Sequence, residues 1–231
     1  MSARLSLTIV SRTGREPFEF AVRAVWNGGW SSRDLEAVRQ HAAELAHMGV
    51  PAPTRVPIYF PLTTSVAVTS DRIEVLGAET SGEIEYALLV AADGQLYVTV
   101  ASDHSDRAAE RHGIQMSKQL CPDVMAPDVW PYAEVADHWD SLVLRCWVSL
   151  DGQRRLYQEA ALAELLSAED WLHTLDQEHL RQPGLVFLSG TPPTLGGLVY
   201  GDRWEIQLDD PVLSRRLEHR YAVAVLGPGI Q

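Results

Sequence analysis

Short segments rich in β-branched and aromatic residues fill most of the chain after residue 51, and they constrain its fold more than any other feature. Turn residues separate them, as at Asp93 and Gly94. This pattern is typical of a β-rich core. The predicted strands cover residues 56–60, 65–68, 73–75, 84–91, 95–101, 142–150, 156–158, 184–188, 203–208 and 221–226.

The first 50 residues predict a β-hairpin followed by a helix. Apolar residues alternate over residues 5–10 and 18–26, on either side of a polar turn. Residues 34–48 carry apolar side chains at helical spacing, with Ser31 or Ser32 as an N-cap. We therefore expect an α+β fold that is mostly β, with residues 1–50 forming the hairpin and helix and residues 51–231 the core. Further helices are predicted at residues 105–112, 161–166 and 168–180.

Composition excludes several classes of protein. The 231 residues include 19 Lys and Arg against 31 Asp and Glu, a formal charge of −12, which argues against broad contact with nucleic acid or anionic membranes. The longest apolar runs are too short for a membrane span, and the N-terminus lacks the apolar region of a secretory signal, so we expect a cytoplasmic protein. The two cysteines, Cys121 and Cys146, are too few for a disulfide framework, and we expect them to be reduced.

Glu83 and Glu85 lie two positions apart in a predicted strand, so both carboxylates leave the same face while Ile84 points into the core. Neighbouring carboxylates repel, and a hard divalent cation relieves that repulsion. The alternative is a solvated strand face. Taken alone, the pair does not decide between them.

A third acid follows the predicted strand 95–101. Either Asp103 or Asp106 could complete an all-carboxylate site, and spacing does not separate the two. Both residues are also good caps for a helix at residues 105–112.

His41 and Glu44 share one face of the predicted helix 34–48, where a carboxylate can orient an imidazole as a general base. The alternative is a solvated helix face. Residues 190–197 form a predicted Gly- and Pro-rich loop whose backbone donors could hold a carboxylate, or which is a plain surface loop. The Gly-Lys-Ser/Thr ending of a phosphate-binding loop is missing.

Taken in order, these segments resemble the fumarylacetoacetate hydrolase superfamily over roughly residues 30–226, in a divergent and poorly characterised bacterial branch. The PGLVFLSGTP segment that ends at Pro192 is the most specific match, because it resembles the family's PGDVIxTGTP. The other matches are HxxE at His41 and Glu44, a proline-aromatic segment at Pro53 and residues 56–60, ExE at Glu83 and Glu85, D-x-[ST]-A-R at Asp103 to Arg107, the lysine segment at Ser117 and Lys118, and the NGE…Q hairpin at Asp151, Gly152 and Gln158.

The resemblance implies a mixed β-roll core with a lid helix, and a function. Mg²⁺ or Mn²⁺ would be bound by Glu83, Glu85 and Asp103. The protein would hydrolyse a C–C bond next to a carbonyl in a small 2-oxo acid or 1,3-dicarbonyl substrate of the acylpyruvate kind. The implied catalytic residues are His41, Glu44 and Lys118, and the implied substrate-binding residues are Arg107, Thr191 and Gln158.

The chain also departs from the family pattern. Asp106 replaces the usual alanine, Asp103 follows Glu85 by only 18 positions, and the usual RNY approach to the lid histidine is missing. A 2-oxo acid decarboxylase, hydratase or isomerase on the same site therefore stays open, as does a non-catalytic ligand-binding homologue. We expect a homodimer, because Trp130, Trp139 and Trp147 would suit an interface if some are exposed.

Overall fold

The computed structural model describes residues 3–34, 36, 55–227 and 229. Its largest element is a ten-stranded sheet with the order β2-β1-β12-β9-β8-β15-β3-β4, and β11 joins β9 to β5. The strands of this large sheet are β1 (Ala3–Ser11), β2 (Gly14–Val22), β3 (Ala24–Gly29), β4 (Ile58–Leu62), β5 (Ala67–Val68), β8 (Ile84–Val90), β9 (Leu96–Asp103), β11 (Asp123–Met125), β12 (Asp128–Pro131) and β15 (Leu185–Leu188).

A five-stranded sheet with the order β14-β13-β16-β17-β6 packs against the large one. Its strands are β6 (Arg72–Val75), β13 (Val143–Leu150), β14 (Gln153–Ala161), β16 (Arg203–Asp210) and β17 (Arg215–Val225). A small pair, β7 (Thr80–Ser81) and β10 (Ser105–Asp106), completes the strands of the described chain.

Helices are few in the described residues. They are α1 (Ile114–Gln119), α2 (Ala168–Gln177) and the 3-10 turns Glu110–His112, Tyr132–Glu134, Ala136–Ser141 and Leu162–Glu164. Ser167 caps α2, since its hydroxyl accepts from the Asp170 amide at 3.1 Å. None of the described helices is long and apolar enough to cross a membrane.

Strands β8 and β9 lie at the centre of the core and are buried on both faces. Tyr86 and Leu88 face one hydrophobic cluster, which they share with the five-stranded sheet. Ala87 and Leu89 face a second cluster on the opposite side of the large sheet. Burial on both faces explains why this segment reads as a continuous apolar run rather than an alternating one.

The mostly β architecture is confirmed, and the antiparallel pairing of β13 with β14 matches the turn predicted at Asp151 and Gly152. Both cysteines are free and buried, as expected. The strand predicted over residues 18–26 is wrong as one element, because the chain changes neighbours at Arg23. Strand β2 pairs with β1, whereas β3 pairs with β15 and β4.

Two predicted helices and one strand boundary are also wrong. Residues 105–112 do not form one helix, because Ser105 and Asp106 pair with β7 and only a 3-10 turn follows, before Gly113 at φ 135°. Residues 161–166 form only a 3-10 turn after β14, which continues to Ala161. Strand β17 starts at Arg215, six residues before the predicted strand.

Candidate metal centre

The ends of four strands meet at one end of the large sheet. Strand β8 begins where the antiparallel β9 ends, and Glu83 and Asp103 exchange two backbone hydrogen bonds of 3.1 and 2.9 Å. Strand β15 runs antiparallel to β8 and parallel to β3, with Leu188 opposite Asn27. The topology therefore gathers residues that are far apart in sequence.

Three carboxylates converge at this end. One oxygen each from Glu83, Glu85 and Asp103 lies within 4.8 Å of the others. Glu85 and Asp103 have no exposed surface, and Ile84 between the two glutamates is buried in the core. We call these three residues the acidic triad. Asp106 is not part of it, because its carboxylate instead accepts a hydrogen bond from the Ala109 amide at 3.0 Å.

Two basic side chains contact the acidic triad. The Lys118 ammonium of α1 bonds directly to Asp103 and lies 3.7 Å from Glu83 Oε2. The Arg107 guanidinium lies 3.0 Å from Glu83 Oε1 and also pairs with Glu110. These contacts offset part of the repulsion between the carboxylates.

The protonation equilibria reflect this crowding. Burial, and next the charge of Asp103, raise the pKa of Glu85 well above its ordinary value. Burial alone would lower the pKa of Lys118, but the charges of Asp103, Glu83 and Glu85 outweigh it and raise that pKa. The neighbouring carboxylates therefore keep Lys118 protonated and positively charged.

The loop after β15 holds one member of the acidic triad. The Gly190 amide donates to Glu85 Oε2 at 2.7 Å, so the carboxylate that this loop holds is the protein's own. Gly190 has φ 83°, and a Cβ there would lie 2.5 Å from the Ser31 hydroxyl. Only glycine fits this turn without strain.

Gln158 and Thr191 contact each other beneath the ExE strand. The fully buried Gln158 accepts from the Ile84 amide at 2.9 Å, and its Nε2 donates to the Thr191 hydroxyl at 2.8 Å and to the Pro192 carbonyl. The Thr191 hydroxyl donates to the Ile84 carbonyl at 3.0 Å. These bonds fix the backbone between the two glutamates.

Two buried residues beside the acidic triad were missed by the sequence analysis. Asn27 donates to Asp103 Oδ2 at 3.0 Å. Asp123 starts β11 opposite Asp103, and burial, with Asp103 next, raises its pKa well above the ordinary value. Asp123 is the one polar residue between Leu120 and Pro127, and this was the one available signal for it.

A buried network lies on the other face of β9. His104 bonds to the Tyr221 hydroxyl at 3.0 Å and to the Thr80 hydroxyl at 2.9 Å, and Tyr221 also contacts the Ser102 hydroxyl. Burial, and next the charge of Arg107, lower the pKa of His104 to about 3. This neutral histidine links β9, which carries Asp103, to β17 and β7.

The predicted lid helix, with His41 and Glu44, lies outside the described residues. The other predicted site residues lie at this end of the sheet. Of the three tryptophans behind the predicted homodimer, Trp130 and Trp139 are buried in the core and Trp147 is half-buried, and the homodimer stays a prediction.

The donor set suits a hard divalent cation. Carboxylate oxygens are the ligands that Mg²⁺ and Mn²⁺ prefer. Three of them converge here, and two of these are fully buried. The residues present therefore fit the cation that the resemblance implies.

Solved structures share this fold. A 2-keto-3-deoxy-D-arabinonate dehydratase complexed with magnesium and 2,5-dioxopentanoate superimposes with a TM-score of 0.60 at 16% identity, covering 90% of this chain and 77% of that one. A fumarylacetoacetate hydrolase from psychrophilic Exiguobacterium antarcticum gives 0.58 at 19% identity, covering 87% and 76%. The 4-oxalocrotonate decarboxylase from Pseudomonas putida G7, complexed with calcium and acetate, gives 0.55 at 16% identity, covering 86% and 76%.

These matches define a protein with the fumarylacetoacetate hydrolase fold and an acidic candidate metal centre. At the level of sequence, residues 28–221 match the family described as "Protein of unknown function (DUF2848)", and the chain belongs to that family. A comparison with curated proteins gives no match.

Proposed function

We propose that the protein is a divalent-metal-dependent enzyme that hydrolyses a C–C bond next to a carbonyl in a small 2-oxo acid or 1,3-dicarbonyl substrate of the acylpyruvate kind. One observation carries the proposal. Glu83, Glu85 and Asp103 converge within 4.8 Å at the end of a sheet with the fumarylacetoacetate hydrolase fold. Burying such a cluster costs folding free energy, and cation binding offsets that cost.

The acidic triad would hold Mg²⁺ or Mn²⁺, and the bound cation supplies Lewis acidity to a substrate carbonyl. Lys118 would stabilise the negative charge that develops on the enolate when the C–C bond breaks. Its contact with Asp103 keeps a charged ammonium next to the acidic triad, which supports this role.

The remaining predicted residues have three proposed roles: activating water, binding substrate and positioning the glutamates. We propose that His41, oriented by Glu44, takes a proton from water for attack on the distal carbonyl. Arg107 would hold the substrate carboxylate, and Thr191 would join it through its backbone amide, because the Ile84 carbonyl already takes the hydroxyl proton of Thr191. Gln158 would act through its hydrogen bonds to Ile84 and Thr191, which keep the two glutamates in place.

A 2-oxo acid decarboxylase, hydratase or isomerase is the second candidate, since all these reactions can use a cation-stabilised enolate. The solved structures of similar fold include a dehydratase and a decarboxylase, which supports keeping it. A non-catalytic ligand-binding protein is the third.

The test is a product assay on an acylpyruvate and on oxaloacetate with added Mg²⁺. The wild-type protein should hydrolyse the acylpyruvate, and Asp103→Asn should abolish turnover. Asp106→Asn is the matched control, because Asp106 caps a turn and its replacement can still accept the Ala109 hydrogen bond. Turnover of oxaloacetate alone would favour the decarboxylase, and no turnover of either would remove the hydrolase proposal.

A further inference from the structure

Asn27 lies against two members of the acidic triad. It is fully buried near the end of β3. Its Nδ2 lies 3.0 Å from Asp103 Oδ2 and 3.4 Å from each oxygen of Glu85. A neutral amide therefore faces the point where the carboxylates converge.

The carbonyl oxygen of the same amide has no such contact in the described chain. Within the part of the chain that the structure describes, Asn27 Oδ1 is buried without a hydrogen-bond partner. Buried carbonyl oxygens are nearly always paired, so an unpaired one needs a reason. A half-turn about the last side-chain bond exchanges Oδ1 with Nδ2. Because Oδ1 has no hydrogen-bond partner in the described chain, this rotation breaks no hydrogen bond at the Oδ1 position.

At the triad end, the same half-turn would set a carbonyl oxygen against two carboxylates. That arrangement is repulsive unless a cation lies between them. A bound cation would also repel the NH₂ group that faces the acids. The preferred orientation of Asn27 is therefore expected to reverse when a cation binds.

The spacing suits a ligand. Mg²⁺ takes six oxygens at about 2.1 Å, which puts neighbouring ligand oxygens about 3.0 Å apart. The Asn27 atom that faces the acidic triad lies 3.0 Å from Asp103 and 3.4 Å from Glu85. These distances match the spacing expected between neighbouring oxygen ligands of one Mg²⁺ ion.

We infer that Asn27 is a fourth protein ligand of the metal centre, binding the cation through its carbonyl oxygen. Without cation, its NH₂ group donates to Asp103 and Glu85. The inference rests on the proposed function, because it requires the acidic triad to bind a divalent cation. The competing account is a positioning role, in which the NH₂ group keeps its two acceptors throughout.

The sequence offers a direct spectroscopic test, because Asn27 is the one asparagine of the 231-residue chain. Labelling with ¹³C,¹⁵N-asparagine therefore gives a single carboxamide signal. Coordination polarises the carbonyl, so Mg²⁺ should move the Cγ and Nδ2 resonances downfield to a new position at saturation. Unchanged resonances in protein that calorimetry shows to be loaded with Mg²⁺ would overturn the inference.

Two variants give a second readout, the affinity for Mn²⁺ measured by calorimetry. Asn27→Leu removes the oxygen and should weaken binding by more than about 100-fold, which exceeds the loss of about 10- to 100-fold that is typical when only a hydrogen-bond partner of a metal ligand is removed. Asn27→Asp keeps an oxygen and should bind at least as tightly as the wild type. In the positioning account, Asn27→Leu removes only a hydrogen bond to the carboxylates, so a loss of about 100-fold or less, unchanged binding or tighter binding would overturn the inference.

Thr99→Val is the matched control. Thr99 is also fully buried on β9, but its hydroxyl contacts the Ala126 and Asp128 carbonyls rather than the acidic triad. Its replacement should leave the Mn²⁺ affinity unchanged. If the wild type binds neither Mg²⁺ nor Mn²⁺, the proposed function and this inference fail together. If the wild type binds and Glu85→Gln does not, but Asn27→Leu binds normally, only the Asn27 inference fails.

Discussion

Two of the regions that carry acid–base pairs, the outer face of the five-stranded sheet and the acidic triad, differ in burial. On the outer face of the five-stranded sheet, Arg154 and Arg220 pair with Glu205 at 2.9 and 3.4 Å. The two arginine side chains are 48% and 74% exposed. At the acidic triad, by contrast, Lys118 and Asp103 are 9% and 0% exposed.

The two regions therefore differ in the free energy that their charges cost. Exposed pairs contribute about 0–1 kcal/mol each, and such a face needs no explanation beyond solubility. Burying charges costs several kcal/mol per ion, and their attraction seldom repays more than that cost. A fold gains little stability from the second arrangement, so stability alone does not explain it.

The predicted lid residues are the first way to sharpen this comparison, because a solvated pair and a catalytic pair respond differently to substitution. If His41 and Glu44 resemble the exposed pairs, His41→Ala changes the free energy of unfolding by about 0.5 kcal/mol or less and leaves activity intact. If they act with the acidic triad, turnover of an acylpyruvate should fall about 100- to 10,000-fold. We expect the second result, with metal binding unchanged.

The double variant checks that His41 and Glu44 act as one unit. Adding Glu44→Gln to His41→Ala should cost little more than the first change alone. Full activity of His41→Ala on every substrate that the wild type turns over would remove the dyad.

Lys118 tests the energetic side of the comparison. Lys118→Met leaves buried carboxylates without their nearest cation and should lower the free energy of unfolding by about 3–5 kcal/mol at pH 7. Added Mg²⁺ should restore part of that loss, because the ion replaces the missing positive charge. Urea unfolding with and without Mg²⁺ measures both effects.

Arg154→Met is the control on the outer face. It removes an exposed pair and a stacking contact over Trp147, and should cost about 1 kcal/mol or less. Equal losses for the two variants would erase the distinction between the regions.

Asp123 gives a smaller and pH-dependent effect. Its pKa is raised in the folded protein, so the folded state binds more protons than the unfolded state as the pH rises above about 4. Wild-type stability therefore falls relative to Asp123→Asn over that range, by up to about 1.4 kcal/mol per pH unit. Urea unfolding in EDTA at several pH values checks the slope, and a difference that does not change with pH would contradict it.

Local sequence patterns predicted the elements that are encoded by the type and order of their own residues. The strands β8 and β9 follow from their apolar runs, and the turn at Asp151 and Gly152 follows from its residue types. The prediction of a helix at residues 105–112 was wrong because pairing with a distant strand overrides the local helix signals. Ser105 and Asp106 pair with β7, which no local propensity encodes.

The candidate site was predictable in part for the same reason. Two positions of one strand place Glu83 and Glu85 together, but spacing alone left Asp103 and Asp106 equivalent, and the family resemblance chose Asp103. Asn27 could not be found, because it reaches Glu85 across β15, a strand far away in sequence. Asp123 reaches Asp103 only through the pairing of β11 with β9.

The central claim is that the acidic triad binds a divalent cation, and a calorimetric titration with Mn²⁺ tests it most directly. The wild type should bind one ion, and Glu85→Gln should lose that binding, since Glu85 is fully buried and its nearest partners are the Gly190 amide and Asn27. Glu205→Gln on the outer face should bind like the wild type. Undiminished binding by Glu85→Gln, or none by the wild type, would contradict the account.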